Sequence, residues 1–421
     1  GVPSLGAATP LPAAALVAAP TLPTAMPRST WAIEFPPIFH APQVMVRCVE
    51  TSKGGKKLTP IPDLELADDD GGEFDGATIH VQLGERKQEI AGFGGAFTEA
   101  AAVSLQKLPS AFQEEILDNY FGPDGIGYTL GRVHINSCDF SLGSYSFDDV
   151  QDDFGLEHFD DSLSHDQEAL LPLLQRAAKK VEATGGERLR ILASPWSPPA
   201  WMKQSGKMDG SSAPCLRPEA QGTWAEYIAR WIAAYKKQSV NIWALTVQNE
   251  PQVNPAWEAC QYTPQEEGAF LADHLGPLMK AQHPEVDIYI YDDSKHNMLG
   301  YSQAVMQNPK AVPYVQGVAF HWYTGDHFDA VSAVGEQFPQ VKLLASEATY
   351  ERRRWENPAA PSSNWEFGAG YAHDIIGDLN AGSSGWLDWN LLLDMSGGPN
   401  HVGNSCDAAV MVDPDAQAVD V

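Results

Sequence analysis

Cysteine is scarce: Cys48, Cys138, Cys215, Cys260 and Cys406 are the only five in 421 residues. An odd number leaves at least one thiol without an intrachain partner. Their wide spacing excludes a zinc pattern and a disulfide-dense scaffold, and leaves the redox compartment open. Basic side chains are few as well, 27 against 55 acidic ones, for a formal charge of −28. That balance argues against nucleic-acid binding, which needs a basic face against the phosphates. It also excludes simple electrostatic attachment to an anionic membrane. No apolar run reaches the roughly 18–20 residues of a membrane span. There is no Asn-x-Ser/Thr sequon, so ordinary N-glycosylation is not expected. A serine hydrolase would want G-x-S-x-G and a zinc hydrolase H-E-x-x-H, and neither occurs. Gly92-Phe93-Gly94-Gly95 is no dinucleotide fingerprint, because Phe97 stands where its last glycine belongs. Neither a metal nor a cofactor is expected.

What the chain does have is apolar bulk, acidity and aromatic rings. Apolar residues make up 43% of it, enough for a large core. Its length suits a (β/α)8 barrel of about 250 residues with insertions and a smaller unit. Self-repulsion among the carboxylates relaxes as they protonate, which points to an acidic working compartment; a role in solubility accounts for the charge equally well. Several of the 12 Trp sit beside polar or acidic residues. Flat rings there suit the C–H face of a pyranose, while core packing is the default for any single Trp.

Residues 1–42 are rich in Pro and Ala and read as a leader or flexible arm, or as the tail of a processed targeting peptide. Stretches 44–49 and 78–83 alternate like strands around an acidic, Gly-containing loop, and suggest a partial β side unit over 43–88, joined by 405–421. From 89 to 404 short apolar runs alternate with amphipathic helical stretches. The expected strands are 89–94, 129–135, 189–194, 242–248, 287–292, 317–321, 342–346 and 385–389. Helices are expected at, among others, 166–182, 223–237, 264–282, 328–338 and 366–379. Eight such units fit a closed TIM barrel better than an open doubly wound sheet. The glycines at 92–95 read as a tight strand exit. Too little chain follows the eighth strand to complete a second β domain.

In a barrel the chemistry sits where the strands end. Those ends carry Asp139, Trp196, Asn249-Glu250, Asp292-Asp293, His321-Trp322-Tyr323, Glu347 and Asp388-Trp389-Asn390. Glu250 follows the fourth strand and Glu347 the seventh, so the two can face one another across the mouth. A pair of carboxylates flanking a glycosidic bond is the minimum for retaining hydrolysis, one protonated to release the leaving group and one ionised to attack.

At these positions the chain is similar to known glycosidases. Thr246-Val247-Gln248-Asn249-Glu250-Pro251 resembles the Asn-Glu-Pro acid/base motif of clan A. From Ile90 to about Val412 the chain resembles glycoside hydrolase family 30, and within it the lysosomal acid β-glucosidase (glucosylceramidase) group. The markers run in the family's order: Gly92-Phe93-Gly94-Gly95-Ala96-Phe97-Thr98-Glu99, Ser137-Cys138-Asp139-Phe140-Ser141, Ala193-Ser194-Pro195-Trp196, His321-Trp322-Tyr323, Ala345-Ser346-Glu347-Ala348, Trp386-Leu387-Asp388-Trp389-Asn390 and Gly397-Gly398-Pro399-Asn400. The resemblance implies Glu250 as acid/base and Glu347 as nucleophile, with Asn249 on the sugar 2-OH. Arg132 would hold Glu347 ionised and oriented, or serve as a structural ion pair, or both. Asp139, Trp196 and Trp389 match positions that bind the outer hydroxyls of a terminal glucose, and Asn404 a position near it. His321 and Tyr323 match residues beside the nucleophile. Cys138 and Cys260 match unpaired cysteines and are expected as buried thiols.

The resemblance also implies the substrate, a β-glucoside or glycolipid such as glucosylceramide. It brings with it transient membrane-surface contact, a saposin-like activator, and a lysosomal, vacuolar or secreted location as expectations. The family's N-terminal paired disulfides have no equivalent, since only Cys48 precedes the barrel. Trp257 stands where the family places other aromatics, which opens the question of the aglycone. The alternatives are a family 30 β-1,6-glucanase or β-xylosidase, and an inactive glycan-binding barrel.

Overall fold

Runs of five to eight residues such as Leu130–Ile135 (LGRVHI) and Gly317–His321 (GVAFH) are buried along their whole length, as strands covered on both faces must be. In the computed structural model, which describes residues 45–65, 84–185, 188–210, 213–350, 365–415 and 418–420, eight such strands close into a parallel barrel. They are β1 (Gly92–Phe97), β2 (Leu130–Ile135), β3 (Arg190–Pro195), β4 (Ile242–Thr246), β5 (Asp287–Ser294), β6 (Gly317–His321), β7 (Lys342–Glu347) and β8 (Gly385–Asn390). Each pairs with its sequence neighbour, and β8 closes on β1.

The expected first strand, 89–94, starts three residues late. Its glycines are the strand itself rather than its exit, because neighbouring backbone comes too close for a side chain. A Cβ at Gly94 would lie 2.0 Å from the Leu130 carbonyl oxygen.

The helices bury one stripe each against the outside of the barrel. Among the described residues they include α1 (Glu99–Gln106), α2 (Ser110–Phe121), α3 (Leu170–Ala183) and α4 (Gln221–Lys237). On α4 the buried Trp224, Tyr227, Ile228, Trp231, Ile232 and Tyr235 recur at helical spacing. Next come α5 (Pro264–Phe270), capped by a Thr263/Glu266 capping box, a π turn at Leu271–Leu275, and α6 (Gly276–Gln282). Last are α7 (Met298–Met306), α8 (Phe328–Gln337) and α9 (Trp365–Asn380).

Inside the barrel, alternate residues stack in layers. Leu130, Leu192, Ala244, Tyr289, Ala319, Leu344 and Leu387 form an apolar cluster from seven strands. Two residues further along four of these strands lie Arg132, Ser194, Thr246 and Ser346, all buried and polar. The catalytic end of the barrel is therefore floored by oil and lined above it by hydrogen-bonding groups.

After β8, β9 (Leu392–Asp394) pairs parallel with β10 (Val410–Asp413), which pairs antiparallel with β11 (Ala418–Asp420). The chain divides into two units, 1–79 and 80–421. In the first, Met45–Glu50 pairs antiparallel with Thr59–Glu65. The second of these strands was not expected, because Pro60 and Pro62 mask it; a two-stranded sheet has only edges, where Pro is tolerated. The expected strand at 78–83 lies outside the described residues. No described helix is long and apolar enough to cross a membrane.

Candidate active site

Glu347 is the last residue of β7, and both of its oxygens are engaged. Tyr323 donates its hydroxyl to Oε1 (2.8 Å), and Arg132 donates to Oε2 from the floor of the site. Arg132 is fully buried and spends its fork on four partners. Besides Glu347 these are Asn249 Oδ1 (2.8 Å), Asp292 Oδ2 (2.8 Å) and Ser194 Oγ (3.1 Å). The bond to Arg132 fixes the amide of Asn249, turning its NH2 away from the guanidinium.

Glu250 lies beyond β4 on a segment hung between the neighbouring strand ends. Asn249 N–H donates to Pro195 O (2.9 Å) and Glu250 N–H to Asp292 O (2.9 Å). Glu250 takes a left-handed backbone conformation, φ 46°. Such a conformation costs on the order of 1–3 kcal/mol and persists only where the surroundings enforce it. His321 Nδ1 lies 3.4 Å from Glu250 Oε1, an ion contact without hydrogen-bond alignment. The other ring nitrogen, Nε2, bonds Asp292 Oδ1 (3.0 Å) and lies 3.9 Å from Glu347 Oε2. Burial alone would lower the His321 pKa, but Glu347, Asp292 and Glu250 together push it up to about 10. The ring is therefore a cation set among three carboxyl groups.

One carboxyl oxygen each from Glu250 and Glu347, with a ring nitrogen of His321, lie within 4.8 Å of one another. Three such donors could hold a metal ion by distance. The chemistry disfavours it, since Glu347 already accepts from Arg132 and Tyr323, and two fixed cations, Arg132 and His321, would repel a third.

Asp139 lies nearly buried after β2 and accepts from Asn404 Nδ2 (2.8 Å). Burial pushes its carboxyl up to about 8 despite that bond, and Glu347, Glu250 and Glu258 add to the rise. Trp196 and Trp389 stack on each other, centroids 5.2 Å apart, and both lie under the Arg132 guanidinium at 4.9 and 5.5 Å. His134 packs edge-on at 6.5 Å from Trp196 and Phe140 at 6.0 Å from Trp389, so both rings are almost wholly buried. Trp257 packs partly buried against the same cluster.

The sequence named Asp292 as a strand-end residue without a task, yet it is the hub. Besides Arg132 and His321, Ser346 (2.6 Å) and Ser194 (3.2 Å) donate to it. Burial would raise its pKa; Arg132, His321 and Ser346 outweigh burial and hold it well below the usual carboxylate range. Glu258 was missed as well. It accepts from Ser137 (2.8 Å) and Ser144 (2.6 Å) and faces His401 (3.2 Å), propping the loop that carries Asp139.

Cys260 is not the free thiol expected of it: it is bonded to Cys215. Residues 203–210 fold back on 257–260, with Gly210 N–H donating to Trp257 O (2.8 Å) and Ala259 N–H to Met208 O (3.2 Å). That fold brings two cysteines 45 residues apart into contact, a proximity no spacing rule foresees. Cys138 is a buried free thiol.

A closed (β/α)8 barrel with two glutamates facing across the C-terminal ends of its strands defines a glycoside hydrolase. The chain belongs to glycosyl hydrolase family 30: the description of that family's TIM-barrel domain matches residues 90–419. It is similar to putative glucosylceramidase 3 of Caenorhabditis elegans, 36% identical over 349 residues, 81% of this chain and 65% of that protein. Lysosomal acid glucosylceramidase of Mus musculus is 34% identical over 348 residues, 80% of this chain and 66% of that protein. The chain thus spans just under two thirds of the length of these curated relatives. Among solved structures, the endo-beta1,6-glucanase BT3312 superposes with a TM-score of 0.74 at 25% identity, covering 89% of this chain and 80% of that one.

Proposed function

We propose that this chain is a retaining β-glucosidase with glucosylceramide as its natural substrate class. The observation that carries the proposal is the pair of glutamate oxygens within 4.8 Å of each other. Retaining enzymes hold their carboxyls about 5–5.5 Å apart, whereas inverting ones leave about 6.5–9.5 Å for a water. Glu347, bonded to Arg132 and Tyr323, is the ionised nucleophile. It attacks the anomeric carbon as the C1–O bond to the aglycone breaks, and Glu250 gives its proton to the departing oxygen. Water then attacks C1, Glu250 takes the water's proton, and the ester bond to Glu347 breaks. Asn249 is positioned to donate its free amide NH2 to the 2-OH. Asp139, with Asn404, and the edges of Trp196 and Trp389 read the outer hydroxyls.

The glucosylceramidase relatives support glucose and lipid. The likeness to an endo-β1,6-glucanase favours a second reading, hydrolysis of β-1,6-glucan. The disulfide fits an oxidising compartment, and with the acidic charge it supports a lysosomal, vacuolar or secreted location.

Incubation with a cyclophellitol-type β-glucoside inactivator, followed by peptide mass spectrometry, tests the mechanism. Label is expected on Glu347, and label on Glu250 would reverse the assignment. Turnover of glucosylceramide against β-1,6-glucan oligomers decides the substrate, and an inert protein would leave only a glycan-binding barrel.

A further inference from the structure

Catalytic barrels position their side chains at strand ends, but β5 does something more. Tyr291 and Asp292 both adopt left-handed backbone conformations, φ 76° and 54°, and the register against β6 slips between Tyr291 and Asp293. Asp292 is the extra residue of a bulge. Simple alternation from Tyr289, which points into the barrel, would send Asp292 outward; the bulge turns it inward to Arg132, His321 and Ser346. Tyr291 goes outward instead and packs on Tyr301 of α7, centroids 5.2 Å apart. Two successive non-glycine residues in this conformation need something to hold them.

The holder comes from outside the sheet. Glu267 on α5 is fully buried in the helix layer, with no basic partner in contact among the described residues. Its Oε1 accepts the Tyr291 N–H (3.2 Å) and its Oε2 the Tyr301 hydroxyl (2.7 Å). By this level β4 has ended at Thr246, and the carboxyl supplies the acceptor that a neighbouring strand would have given. On the other face of the bulge, Asp292 C=O accepts the Glu250 N–H. We infer that Glu267 is a positioning residue for the reaction: it pins the bulge from behind, and through the Asp292 carbonyl it sets the place of the acid/base Glu250.

Burial pushes the Glu267 carboxyl up to about 7, so a neutral side chain of the same length reproduces its state in acid. Length is what matters, because the group has to span from the helix to the strand backbone. Glu347 is linked to the bulge only through the Arg132 side chain, which Ser194 and Asn249 also hold, and Tyr323 fixes its other oxygen.

The inference rests on the glycosidase reading, and the test separates the two. kcat/KM, which reports only the step up to aglycone release, is measured on octyl β-glucoside and on 2,4-dinitrophenyl β-glucoside. The octyl leaving group needs Glu250's proton and the dinitrophenyl group does not. Enzyme is counted by active-site titration, so loss of folded protein drops out. General-acid help is worth about 10²–10⁴-fold, and partial misplacement in Glu267→Asp should cost about tenfold more on the octyl than on the dinitrophenyl substrate. Glu267→Gln, which keeps the reach, should stay within about twofold of wild type on both. Should Glu267→Asp fail to fold, Tyr301→Phe removes one of the two bonds that hold the carboxyl, and should show the same imbalance at about threefold. Equal losses on both substrates, or none, overturn the inference while wild type is active. A wild type inert to both overturns the glycosidase reading and the inference with it.

Discussion

Arg132→Met removes one charge from the centre of the site and keeps most of the side chain's bulk against Trp196 and Trp389. Four acceptors lose their donor: Ser194, Asn249, Asp292 and Glu347. Two of them are carboxylates in a buried layer. Breaking a buried ion pair from one side costs about 3–5 kcal/mol, because the partner's desolvation is left uncompensated. At roughly 2 °C per kcal/mol, the low end for a domain this large, Tm should fall by about 6–10 °C at neutral pH. The pH dependence carries a sign. Burial would raise the Asp292 pKa, but Arg132 and its neighbours hold it below the ordinary range. Such a group contributes stability that is fully present above its unfolded value of about 3.9 and is lost as pH falls through the folded value. Without the guanidinium the folded pKa rises and the contribution fades at higher pH. The gap between wild-type and variant Tm should thus be widest near pH 7 and narrow below about pH 4. Scanning calorimetry between pH 3 and pH 8 measures it, alongside the rate of labelling at Glu347. A variant within about 2 °C of wild type at pH 7, labelled at an unchanged rate, would refute the charge-layer reasoning.

Asp139, with its carboxyl pushed up to about 8 chiefly by burial, works in the opposite sense. A folded pKa raised above the unfolded one means stability lost between about pH 4 and that value, so Asp139→Asn should gain Tm relative to wild type over this range and plateau above it. A gap that stays flat in thermal-shift scans would sink this. Cys215 and Cys260 close a loop with a sequence separation of 45. Opening that loop should cost roughly 3–4 kcal/mol on the chain-entropy account, seen as a lower urea midpoint for Cys215→Ser or for reduced wild type. Identical midpoints with and without reductant would contradict it.

The barrel was legible because each strand is buried on both faces and stands out from the amphipathic helices around it, as 317–321 does without a residue's error. The glutamates were legible for a related reason: strand ends are where a barrel exposes its side chains, so Glu250 and Glu347 could be picked by position. Asp292 could not be given its role, because periodicity assumes an unbroken strand and the bulge at Tyr291 reverses which residue faces inward. Ser194 and Ser346 sat inside quoted motifs, but a serine in an apolar run carries no mark of the buried carboxylate it serves. Thr59–Glu65 hid behind two prolines, and the Cys215–Cys260 bond depends on how a long loop folds back. Apart from Thr59–Glu65, what escaped the sequence was a contact made by irregular backbone.

Irregular backbone also gives two identical side chains the different surroundings that their proposed roles require. Glu347 ends β7 where its register against β6 slips, and its carboxylate accepts from a guanidinium and a phenol. Glu250 stands on a left-handed residue past the end of its strand, hung by its own N–H from the bulge of the next one. Its carboxyl is the more exposed of the two, 18% against 8% for the side chain, and its nearest charged neighbour is an imidazolium whose other nitrogen already serves Asp292. In the mechanism proposed above, esterifying Glu347 removes one of the negative charges that hold His321 protonated. Under the proposed mechanism, the charge lost at Glu347 in the first step is the one whose repulsion Glu250 would meet when it takes the proton of the incoming water.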